Sequence, residues 1–177
     1  MREHKGIRPQ DIVILLKIVS LNNSNWKIND LAHQLFISQS EVSEALNRSQ
    51  FSGLIDESKR KVRVMGLFDF IKYGLKYVFP AKPSYITIGI PTSHSAKPLS
   101  DTIISNDSDV YVWEYEEGNT KGQAIEPLYK NVVRAVQQDQ KLYELLALVD
   151  AFRVGTPREI KLAEEKLKGR LGLAQPV

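Results

Sequence analysis

The chain has 177 residues, 42% of them hydrophobic and 25% charged, with a formal net charge of +3 and no cysteine. That composition is ordinary for a globular protein and excludes a low-complexity or disordered chain, while the missing thiols exclude disulfides, cysteine nucleophiles and thiolate metal sites. The charge is uneven: residues 1 to 82 hold 13 Lys+Arg against 8 Asp+Glu, and residues 83 to 177 hold 11 against 13.

The first element expected is a helix opened by Arg8-Pro9-Gln10-Asp11, with Pro in the first turn and Ile12, Leu15, Leu16 and Val19 at i, i+3, i+4 and i+7. Val13, Ile14 and Ile18 make its other faces apolar, so it must be buried nearly all round, under later parts of the chain or against a second copy. Asn22 to Asn25 end it. Leu31, Ala32 and Leu35 then predict a helix of about two turns, with Asn29 or Asp30 available to accept from its free N–H groups and Phe36-Ile37 at the corner. Ser38-Gln39-Ser40-Glu41 fits a capping box and starts a third helix. In this helix Val42, Ala45 and Leu46 face inward; Gln39, Ser40, Ser43, Asn47 and Arg48 are expected to point outward. Leu54 to Glu57 and Lys61 to Val64 read as two short strands joined around Ser58-Lys59-Arg60, which gathers Lys59, Arg60, Lys61 and Arg63 at a hairpin tip.

This order, from about Pro9 to Val64, resembles the winged helix-turn-helix regulators of bacteria, in particular the MarR-like group. The resemblance implies a double-stranded DNA partner. By it, the helix from Gln39 to Ser49 reads the groove with Ser38, Gln39, Ser40, Ser43, Asn47 and Arg48, and Lys59, Arg60, Lys61 and Arg63 hold phosphates. Amide and hydroxyl groups suit base edges, and cations at a hairpin tip suit the backbone. Two short amphipathic helices and a hairpin are also common parts of protein-binding modules, so the fold alone does not decide between these uses.

Leu67 to Phe79 follows as an aromatic helix closed by Pro80. Tyr73 and Tyr77 on it are expected in a core or a subunit interface. A domain boundary is placed at Pro80 to Pro83, dividing a DNA-binding domain, 1–80, from a C-terminal effector, dimerisation or partner-binding region, 84–177. There Tyr85 to Ile90 and Val110 to Tyr115 read as strands, separated by a long loop from Pro91 to Asp109. Ser93 and His94 in that loop lack a nucleophile turn or an oxyanion motif, so no catalytic residue is assigned and no enzyme activity is expected. His94, Trp113 and Tyr115 are candidates for a ligand pocket. The three histidines, His4, His33 and His94, have no ligand spacing, so no metal and no cofactor is expected.

The remainder reads as helices. One runs from Pro127 through Leu128, Val132 and Val136; the next is capped by Asp139 and carries Leu142, Leu145, Leu146, Val149 and Phe152. Thr156-Pro157-Arg158-Glu159 combines a cap, a first-turn proline and a capping-box glutamate for the last. Leu145 to Glu159 is slightly similar to the closing segment of small bacterial winged-helix regulators associated with toxin-like partners, which implies an antitoxin-like protein partner as an alternative role. The expected fold is α+β: a winged helix-turn-helix domain, then a small mixed region of two strands and a helical bundle. The expected protein is a cytoplasmic, homodimeric transcriptional regulator with no membrane segment, since two reading helices about 34 Å apart would supply usable specificity.

Overall fold

The computed structural model describes residues 5–23, 25–106 and 108–174, and they form an α+β fold of eight helices and a three-stranded sheet. No helix among the described residues is long and apolar enough to cross a membrane.

Helix α1 spans Pro9–Leu21, with proline in its first turn and Asn22 in the left-handed region behind it. Residues 11 to 18 are all buried, as an all-round apolar helix requires. Its two buried charges are both paired, Asp11 with Arg48 and Lys17 with Asp139. Helix α2, Ile28–Leu35, has Lys27 at its N-cap and no side-chain cap, so neither Asn29 nor Asp30 caps it. It turns sharply at Phe36, whose φ of 55° is left-handed. Helix α3, Gln39–Phe51, starts at Ser38, whose hydroxyl accepts from the Glu41 N–H. Only half of the expected capping box forms, because the Glu41 carboxylate accepts from Gln10 on α1 instead.

The hairpin after α3 has a single bridge, Ile55 to Val62. Its second arm is shorter than expected because helix α4, Val64–Tyr73, begins at once. At Gly74 that helix breaks, and α5, Leu75–Val78, completes the aromatic segment.

Strand β1, Ile86–Pro91, runs antiparallel to both β2, Tyr111–Glu114, and β3, Thr120–Ala124. Strands β2 and β3 also pair over a short parallel stretch, so the sheet closes on itself. Closure brings backbones so near that a Cβ on Gly89 would lie 1.9 Å from the Trp113 carbonyl oxygen, and one on Gly122 would lie 2.6 Å from that of Val110. Glycine is required at both. Strand β3 was not expected, since Thr-Lys-Gly-Gln-Ala lacks the apolar alternation that marks a strand.

Helix α6, Val132–Val136, is shorter than the segment from Pro127 suggested. Helices α7, Gln140–Val154, and α8, Pro157–Arg170, are capped by Asp139 and Thr156 as their sequences require, the second with a complete capping box. One hydrophobic cluster runs through the molecule, from Ile12 and Leu16 of α1 through Leu67 and Leu75 to Leu148 and Phe152 of α7 and Leu167 of α8. Pro80 to Pro83 thus separates helices from sheet along the chain, while α7 packs against α1, α4, α5 and α8. Burial of α1 is supplied within one copy.

Candidate nucleic-acid interface

Helices α2 and α3 meet at the Phe36 corner, and the hairpin folds back along α3. On α3, Gln39, Ser43 and Asn47 recur every four residues and therefore share one face. Ser38, Gln39, Ser40 and Asn47 are exposed and Ser43 is half-buried. Side-chain contacts fix this face against its neighbours. Gln39 Nε2 donates to Asn29 Oδ1 at 2.9 Å, and Gln50 Nε2 donates to the Glu57 carbonyl at 3.1 Å.

The hairpin tip is organised by Asp56. Its Oδ1 accepts from the Arg60 and Lys61 N–H groups at 2.8 and 2.9 Å, and its Oδ2 accepts from Ser58 Oγ at 2.7 Å. These donors, the Lys61 N–H first, hold the Asp56 carboxyl down at about 2. Lys59 takes a left-handed φ of 57° and donates its ammonium to Asn47 Oδ1. Arg60 donates to the Trp26 carbonyl at 2.7 Å, with its guanidinium 4.7 Å from the centre of the Trp26 ring. Lys61 and Arg63 are exposed and unpaired among the described residues. The four cations therefore differ: Lys59 and Arg60 brace the tip, and Lys61 and Arg63 project from it. Between α3 and the tip lies a groove of about 210 Å³ lined by Trp26, Ser43, Lys59 and Arg60.

Arg48 departs from its expected place on the outward face. It is 8% exposed, and its Nε and a terminal nitrogen each donate to the Asp11 carboxylate at 2.8 Å. The bidentate bond to Asp11 raises the Arg48 pKa further, so the guanidinium stays charged and engaged. The reason is helical spacing. Arg48 lies three residues after Ala45 and six after Val42, on the flank of the buried stripe, where α1 crosses.

The sequence offered no sign of the clamp on the corner. The Phe36 carbonyl accepts from Tyr129 Oη at 2.6 Å and from Asn131 Nδ2 at 3.1 Å, and Arg134 lies 4.1 Å over the Phe36 ring. These partners are some ninety residues away, so no local pattern could reveal them. Asp56-x-Ser58, by contrast, is a readable turn signature.

The candidate ligand residues separate. Trp113 is 1% exposed and donates Nε1 to Asp150 Oδ2 at 2.7 Å, a carboxylate also bound by Thr92 and paired with Arg153. It is a strut of the core, closed off from solvent. Burial pushes the Asp150 carboxyl up, against the pull of Arg153. Tyr115 is half-buried, with its hydroxyl donated to Glu117. His94, on a 3₁₀ turn of Ser93–Ser95 where an extended loop was expected, lines a pocket of about 410 Å³. Among the described residues no three His, Asp or Glu side chains are grouped as metal ligands.

No protein-family model matches the chain, nor does any curated protein or solved structure.

Proposed function

We propose that the chain binds double-stranded DNA as a MarR-like winged helix-turn-helix regulator of transcription. The observation that carries this reading is the juxtaposition of a polar α3 surface, exposed at Gln39, Ser40 and Asn47 and half-buried at Ser43, with a hairpin tip that projects Lys61 and Arg63. Amide and hydroxyl groups on a helix flanked by exposed cations provide base-edge readers beside backbone anchors. Lys59 ties the tip to α3 through Asn47, and Arg60 ties it to the segment before α2 through Trp26, so helix and tip would meet DNA as one surface. Arg48 is left out of the reading face, since its buried ion pair with Asp11 ties α3 to α1. One copy presents a single short helix and one tip, too few contacts for useful specificity, so the active form is a homodimer on two half-sites in the cytoplasm.

Fluorescence anisotropy with a labelled duplex tests the assignment residue by residue. Lys61→Ala and Arg63→Ala should weaken binding to every duplex. Asn47→Ala should weaken the preferred sequence more than random DNA. Equal losses for all three across all sequences would remove base reading from α3.

The competing use is as a partner-binding, antitoxin-like module. It draws on exposed apolar residues: Tyr73, Tyr77 and Val78 at 65, 73 and 53%, with Tyr85 and Ile86 at 61 and 54%. Tyr73 and Tyr77 are therefore outside the monomer core and remain available to a subunit or a partner.

A further inference from the structure

The turn Ser93–Ser95 buries His94 to 1% exposure. Its Nε2 lies 2.6 Å from the Asp109 main-chain oxygen. A carbonyl only accepts, so Nε2 carries a proton, and in the neutral imidazole Nδ1 keeps its lone pair. Nδ1 has no hydrogen-bond partner among the described residues. Facing it at 3.8 Å is Glu159 Oε2, which already accepts from the Thr156 N–H at 2.9 Å and belongs to a side chain only 11% exposed.

Two acceptors, one of them anionic, therefore face each other in a poorly solvated place. Neither can satisfy the other, and such an arrangement costs free energy unless a donor stands between them. Both side chains line the pocket of about 410 Å³, together with Thr102, Ser105, Asp109 and Arg158. Arg158 is exposed, whereas the deeply buried groups of the lining are the imidazole and the Glu159 carboxylate.

We propose that this pocket binds a small organic cation whose head carries at least two N–H donors, a primary ammonium or a guanidinium, seated between His94 Nδ1 and the Glu159 carboxylate. A donor nitrogen about 2.8 Å from each acceptor closes a triangle on their separation, the length expected of charge-assisted bonds. An anion is disfavoured by the same two groups and by Asp109. A metal ion would lack a third strong ligand, since the described residues contain no such group. The hydroxyls of Thr102 and Ser105 and the Asp109 carboxylate give the rest of the molecule further acceptors. The site stands apart from α3 and the hairpin tip, and its existence does not depend on DNA binding.

The probes are L-arginine, agmatine and, as a cation without N–H donors, tetramethylammonium. Each is titrated calorimetrically into the full chain and into Glu159→Gln, which retains an acceptor for the Thr156 N–H while removing the charge. In parallel, the His94 ring nitrogens are followed by nitrogen-15 NMR of the wild-type protein. The expected result is saturable binding of arginine or agmatine that shifts the His94 Nδ1 resonance, at least about tenfold weaker in Glu159→Gln, with no saturable binding of tetramethylammonium. No saturable binding of arginine or agmatine would overturn the proposal. So would equal affinity in the variant, equal binding of tetramethylammonium, or an Nδ1 already protonated at neutral pH in the free protein, since His94 and Glu159 would then satisfy each other.

Discussion

The Arg48 guanidinium lays two hydrogen bonds of 2.8 Å on the Asp11 carboxylate, and through them α1 holds the helix that presents Gln39, Ser43 and Asn47. Asp11 is fully buried, so loss of either partner would strand a charge in the interior. Arg48→Ala is expected to destabilise the fold by about 3 to 5 kcal/mol. The double variant Asp11→Leu with Arg48→Met, which leaves no orphan charge, should lose far less. Thermal unfolding of the three proteins checks this; an Arg48→Ala protein as stable as wild type but weaker on DNA would return Arg48 to the reading surface.

The Phe36 corner is expected to depend on residues far along the chain. Tyr129→Phe removes one hydrogen bond to the Phe36 carbonyl and should cost about 1 kcal/mol, with Asn131 still bonded. Amide exchange at Ile37 and Ser38 should quicken in that variant while exchange in α8 is unchanged. Uniform quickening throughout would mean that the clamp supports the whole core and not the corner.

The Asp56 turn gives a pH window. A carboxyl held at about 2 in the folded chain, against an ordinary 3.8, contributes stability that is fully present above the ordinary value and lost as pH falls through about 2. NMR titration of the Asp56 carboxyl should therefore show a midpoint well below that of a free aspartate. The amide shifts of Arg60 and Lys61 should follow it. A midpoint near the ordinary value would mean that the turn is open in solution.

Legibility followed the range of the interactions. The caps at Ser38, Asp139 and Thr156 were readable because their partners lie three residues away. The burial of α1 was readable because its apolar residues cover the whole helix circumference. Arg48 was misplaced because a long cation on the flank of an amphipathic helix can turn either way, and only the crossing of α1 decides it. Strand β3 was missed because closure of the small sheet, not side-chain alternation, makes it a strand. Trp113 has the chemistry of a candidate ligand residue, yet its partner Asp150, thirty-seven residues on, holds it in the core.

The two projecting tip cations should be visible in the salt dependence of DNA binding. Each phosphate contact releases condensed counterions, so Lys61→Ala and Arg63→Ala should each flatten the slope of log affinity against log salt by about 0.9. Lys59→Ala acts through the Asn47 bond and should disturb sequence preference as well. Unchanged slopes for both Lys61→Ala and Arg63→Ala would place the tip away from phosphate.

The most direct test of the central claim is fluorescence anisotropy of the intact protein with random duplex DNA and with the duplex upstream of its own gene, over a series of salt concentrations. DNA binding with regulation predicts preference for the upstream duplex and a log affinity that falls steeply with log salt. Absence of binding to either duplex at low salt would contradict it and turn attention to protein partners of the exposed Tyr73, Tyr77 and Val78.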